Sequence, residues 1–106
     1  MSAGRKRAGR VDFEAVAAAA LPHLPALVAR WLPGGRLEGR EWTCASLAGG
    51  AGRSCRVNVV SGRWADFSTD QRGGDAVSLA AAIAGVSQLE AARRLSEMLG
   101  LPGGRQ

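Results

Sequence analysis

The stretch Ser61-Gly62-Arg63-Trp64-Ala65-Asp66-Phe67-Ser68-Thr69-Asp70-Gln71-Arg72-Gly73-Gly74-Asp75 decides the fold, because it leaves a strand at one end and enters a helix at the other. Ahead of it, Ser54 to Val60 alternates, with Val57 and Val59 on one face and Arg56, Asn58 and Val60 on the other. That is the period of a half-buried strand. Ser61-Gly62 is a two-residue hairpin signal leading into a second strand, Arg63 to Phe67. Gly73-Gly74 allows a sharp turn through positive φ. Asp75 then stands where a helix N-cap belongs, its carboxylate facing the free N–H groups of the first turn.

Working outward, Arg36 to Cys44 alternates weakly, Leu37, Trp42 and Cys44 against Glu38, Arg40, Glu41 and Thr43, and reads as one strand whose start is delayed by Gly39. Ala45 to Gly52 is small and glycine-rich, a loop with nothing in it to build a core. On the other side, Ala76 to Ala84 is a strong helix former closed by Gly85. Ser87 and Glu90 form a capping box for a further helix. Its spacing turns Ala91, Leu95, Met98 and Leu99 inward and Arg93, Arg94 and Glu97 outward, and Gly100-Leu101-Pro102 stops it. Near the start, Asp12 caps a helix through Phe13, Val16, Ala17 and Ala20 that Pro22 ends or bends. A second helical segment, residues 25–32, carries Leu24, Leu27, Val28, Trp31 and Leu32 on one face. The expected architecture is α+β: a small three-stranded antiparallel sheet flanked by an N-terminal helical segment and two C-terminal helices. Residues 1–11 read as a disordered basic arm, 12–101 as one domain and 102–106 as a flexible tail.

The chain has 106 residues and a net charge of +5, and Lys6 is its sole lysine. Arginine excess suits phosphate, since the planar guanidinium makes paired hydrogen bonds to an anion. A GC-rich genome also writes Ala, Gly and Arg freely, so charge alone leaves nucleic-acid binding and mere composition equally open. No apolar run approaches the length of a membrane span, and the basic start has no apolar stretch behind it. These features lead us to expect a cytoplasmic protein with no membrane partner. Cys44, Cys55 and His23 are too few and too scattered for a structural zinc site, and packing is their expected fate.

Gly62-Arg63-Trp64-Ala65-Asp66-Phe67, Gly73-Gly74-Asp75 and Ser87-Gln88-x-Glu90-Ala91-Ala92-Arg93-Arg94-Leu95, in this order, resemble the N-terminal zinc-ribbon domain of bacterial-type DNA primases. The likeness is to the divergent form at the start of plasmid and phage primase-helicases, and it runs from about Asp12 to Leu101. The family holds zinc with a Cys-x-x-His pair before the hairpin and a Cys-x-x-Cys pair after it. Those positions fall on Cys44, Leu47, Asp66 and Thr69, so one ligand of the four is kept. The resemblance therefore implies a zinc-ribbon-like fold without zinc or other cofactor, held by helix packing and by the Trp64 and Phe67 rings.

It also implies a non-catalytic DNA-binding module of a plasmid- or phage-type replication system, acting on single-stranded DNA, with a separate primase catalytic subunit or helicase as partner. Such binding needs cations that track phosphates and aromatic faces for bases. The residues expected at the interface are Arg53, Arg56, Asn58, Arg63, Trp64 and Arg72. Arg63 and Trp64 are strand neighbours and face opposite sides, which makes Trp64 the better core candidate. No arrangement of clustered carboxylates, P-loop or nucleophile-base pair points to an enzyme. A second class of function stays open, a protein-interaction adaptor that docks a primase subunit, helicase or initiator and has lost DNA binding.

Overall fold

Five antiparallel strands, not three, make up the sheet in the computed structural model, which describes residues 11–101. Of the expected basic arm over residues 1–11 only Val11 is described, and it packs against a core cluster; residues 1–10 and the tail over 102–106 lie outside the described residues. The strands are β1 (Arg36–Glu38), β2 (Glu41–Cys44), β3 (Cys55–Asn58), β4 (Trp64–Asp66) and β5 (Gln71–Gly73), adjacent in chain order.

The two extra strands have different causes. What reads as one strand over residues 36–44 is a hairpin that folds at Gly39-Arg40, with Glu38 facing Glu41 and Gly39 at φ +63°. Glycine at the first position of a two-residue turn is a hairpin signal. Strand β5 has no apolar alternation to announce it. It exists because Trp64, Ala65 and Asp66 offer a free edge to Gly73, Arg72 and Gln71. The expected two-residue turn at Ser61-Gly62 is also longer. Asn58 donates its backbone N–H to the Arg63 carbonyl, and its side-chain oxygen accepts from the N–H groups of Val60 and Ser61, both at 2.9 Å. This Asx turn ends β3 at Asn58, two residues earlier than the alternation indicates.

The helices are α1 (Phe13–Ala20), α2 (Leu24–Trp31), α3 (Ala76–Ala84) and α4 (Gln88–Leu99), with a 3-10 turn over Leu21–His23 at Pro22. Asp12, Asp75 and Ser87 cap α1, α3 and α4 as their positions demand, accepting from Ala15, Ser78 and Glu90. The returning half of the capping box is replaced, because the Glu90 carboxylate pairs with Arg94 at 2.9 Å instead.

Register across the sheet places Leu37, Trp42, Val57, Trp64 and Gly73 in one row. The neighbouring row, on the opposite face, is Arg36, Thr43, Arg56, Ala65 and Arg72. The first face is covered. Leu24, Leu27 and Val28 from α2, Leu32 at its C-cap, and Ala76 and Leu79 from α3 pack with Val57, Val59 and Trp64 into the main core. A smaller cluster joins Val16 of α1 to Val77 of α3 and to Ala92 and Leu95 of α4, with Val11 against it. Leu47, in the loop expected to contribute nothing, also packs on the main core.

Two tryptophans anchor the covered face in matching ways. Trp64 donates its indole N–H to Ser78 Oγ at 3.0 Å, and Trp42 donates to the Leu32 carbonyl at 3.1 Å. Each indole lies over a glycine. A Cβ at Gly73 would come within 2.5 Å of Trp64 Nε1, and one at Gly35 within 2.6 Å of Trp42 Nε1. Two expectations about apolar side chains are overturned. The Phe67 ring is 63% exposed and takes no part in the core, since it follows Asp66 just past the end of β4 and lies on the uncovered face. Met98, expected inward, is 47% exposed.

Candidate nucleic-acid interface

The uncovered face of the sheet gathers residues from four strands around one concavity of about 610 Å³, with Glu41 of β2 as the acid on its rim. Arg56 and Asn58 come from β3, Arg63 from the residue before β4, Ala65 from β4 and Arg72 from β5, with Phe67 just beyond β4. The pleat explains the grouping. Arg63, Ala65 and Phe67 are two residues apart and point the same way, while Arg56 and Arg72 flank Ala65 laterally in the register.

The charges on this face are only loosely paired. Arg56 lies 3.9 Å from Glu41, and Arg72 lies 3.7 Å from Asp70, whose side chain is 90% exposed. Ion pairs this long and this wet contribute little, so they yield readily to a stronger anion. Arg63 has no carboxylate within ion-pair distance among the described residues. The acids Glu38 and Glu41 sit toward β1 and β2, so the basic part of the face lies over β3, β4 and β5.

Of the residues expected at the interface, Arg56, Asn58, Arg63 and Arg72 are brought together here. Asn58 shares its side-chain oxygen with the turn it closes, so its role is first structural. Arg53 stands apart. It pairs with Glu38 at 3.5 Å and lines a different concavity beside Gly34, Arg36 and Thr43. Trp64 is 5% exposed with its N–H bound to Ser78, and therefore belongs to the core side of the sheet. Ala65 and Phe67 are the residues that inspection of the sequence missed. The signal was available for Phe67, because strand parity relative to Trp64 and Asp66 already separates it from the core.

The positions that the resemblance assigns to metal ligands come together around a carboxylate. Asp66 is fully buried, and accepts from the Leu47 N–H at 3.0 Å, from the Ser68 N–H at 2.8 Å and from the Ser68 hydroxyl. Burial alone raises its pKa. The hydrogen bonds from Ser68, Leu47 and Thr69 outweigh that and hold the carboxyl below its ordinary value. Asp66 thus ties the loop after β2 to the loop after β4. Cys44 and Cys55 face each other across β2 and β3, both fully buried and both free thiols. Burial pushes the Cys55 thiol up to about 12, with Cys44 and Asp66 adding to the shift, and burial raises Cys44 as well. Among the described residues no three His, Cys, Asp or Glu side chains converge to hold a metal ion. None of the described helices is long and apolar enough to cross a membrane.

The chain matches no protein-family model, no curated protein and no solved structure.

Proposed function

We propose that this protein is a non-catalytic module that binds single-stranded DNA through the uncovered face of its sheet, in a primase-like replication system. One observation carries the reading. Helices bury one face of a five-stranded sheet, and the other face presents Arg56, Arg63 and Arg72 around a concavity that also holds an exposed phenylalanine. Cations that track phosphates beside an aromatic platform are what sequence-tolerant single-strand binding requires. The use of the acids supports a binding role over a catalytic one. Asp12 and Asp75 cap helices, Asp66 ties two loops, and Glu38, Glu41, Asp70 and Glu90 pair with arginines.

The test is an anisotropy titration with a labelled single-stranded oligonucleotide at several salt concentrations, wild type beside Arg56→Ala/Arg63→Ala. The expected result is binding whose logarithm falls linearly with the logarithm of salt. The slope should decrease by about 0.7 for each phosphate contact the double variant loses. Absence of binding at low salt would sink this reading.

A second reading draws on a different surface. Trp31, Ile83, Leu95 and Met98 line an apolar groove of about 230 Å³ between α3 and α4, away from the sheet's open face. That groove favours an adaptor that docks a protein partner such as a primase subunit or helicase. It becomes the leading reading if the oligonucleotide does not bind.

A further inference from the structure

Ala65 is the one small side chain in the middle of the uncovered face. Its four neighbours on that face are large: Arg56 and Arg72 across the register, Arg63 and Phe67 along the strand. With strands about 4.8 Å apart, the flanking arginines leave a slot about 9.6 Å wide between their backbones, floored by a methyl group. Phe67 stands at one end of that slot, its backbone N–H held by the Ser54 carbonyl at 2.7 Å and its side chain 63% exposed and outside both core clusters. An exposed phenylalanine costs free energy of solvation with nothing gained in the free protein. A planar apolar ligand that covers it would recover that cost.

We infer that the slot over Ala65 takes a single unstacked nucleobase, packed against the Phe67 ring, while Arg56, Arg63 and Arg72 hold the phosphates on either side of it. This rests on the DNA-binding reading and extends it to strandedness. A base in a duplex is stacked on both faces and cannot enter a one-residue depression without the cost of being unpaired and extruded. A single strand bears little of that cost, so the slot selects single strands. Neither ion pair at the site stands in the way. The Arg56–Glu41 and Arg72–Asp70 contacts are 3.9 and 3.7 Å long and solvent-exposed, so phosphate oxygens can replace the carboxylates.

The experiment uses the full chain and three labelled probes: an oligothymidylate of about 16 nucleotides, an abasic strand with the same phosphates, and a duplex of the same length. Two variants are compared with wild type. Phe67→Ala removes the stacking wall, and Ala65→Leu fills the floor without changing charge. Base–aromatic stacking worth about 1–3 kcal/mol predicts that each variant weakens oligothymidylate binding about 5- to 150-fold. Abasic-strand binding should stay within about twofold of wild type in both, because the phosphate contacts persist. The wild type should prefer the single strand to the duplex. Unchanged oligothymidylate affinity in both variants would overturn the slot and leave the DNA-binding reading standing on its salt dependence. Equal loss on the abasic strand would also overturn it, since the variants would then act on the backbone contacts or the fold. A wild type that binds none of the probes would overturn both readings together.

Discussion

The two faces of this sheet are built from alternate residues of the same strands, yet they obey different rules. On the covered face Trp42, Val57 and Trp64 are held by α2 and α3, and each indole N–H has a partner. On the uncovered face Arg56, Ala65 and Arg72 occupy the adjacent row; the two arginines make long, wet ion pairs, and Arg56 adds a 3.5 Å hydrogen bond to the Arg53 carbonyl. The first face carries the core, and the second leaves its arginines largely to solvent. Short strands make this division sharp. With three or four residues each, a strand has one or two side chains to give to either side.

The comparison breaks if both faces respond alike to truncation. Trp64→Ala should cost about 3–5 kcal/mol, because a large buried ring leaves a cavity and strands Ser78 Oγ without its donor. Arg72→Ala, one row away on the other face, should stay within about 0.5 kcal/mol. Urea unfolding followed by far-ultraviolet circular dichroism measures both. Similar losses in the two variants would mean that the uncovered face is structural.

Asp66 is the polar member of the covered side, and its removal should have the next largest effect. Asp66→Asn should lose about 1.5–3 kcal/mol at neutral pH, the scale of hydrogen bonds to a charged acceptor. The pH dependence has a definite sign. The folded carboxyl releases its proton more readily than the unfolded one. Its stabilisation is therefore present above the ordinary aspartate pKa of about 3.9 and is lost as pH falls through the lower folded value. Stability of the wild type should drop below about pH 4 more steeply than that of Asp66→Asn. Parallel acid limbs in the two proteins would remove Asp66 from this role.

The smallest effect sharpens the charge pattern within the uncovered face. Glu41→Gln frees Arg56 from a 3.9 Å ion pair at a half-exposed position. Stability should change by no more than about 0.5 kcal/mol, while affinity for a single-stranded oligonucleotide rises up to about fivefold. A fall in affinity would show that Glu41 helps to orient Arg56 for its ligand instead of competing for it.

Several features were legible in the sequence because their causes lie within one turn of chain. Asp12, Asp75 and Ser87 cap helices three residues or fewer from the N–H groups they accept. Gly85 and Gly100 end α3 and α4 with φ near +70°. The alternation of Arg56, Val57 and Asn58 marked a strand and put Arg56 and Asn58 on one face, but it could not tell that Arg63 and Arg72 lie beside them or that Arg53 stands apart. The Gly39-Arg40 hairpin belongs to the same class. Its signal was local, and the weak alternation around it hid it.

Other features depend on partners that only strand pairing brings alongside. Strand β5 has no pattern of its own and forms because β4 leaves an edge unpaired. Asp66 becomes a tie only when Leu47, nineteen residues away, is delivered to it by the loop after β2. Ala65 carries no chemical signal at all, and matters through the four larger side chains that the register sets around it. The physical reason is the same in each case. Capping, turns and periodicity are interactions between residues adjacent in sequence, so the sequence by itself determines them. Lateral pairing and the filling of a face are interactions across strands, and only the tertiary structure decides which residues meet there.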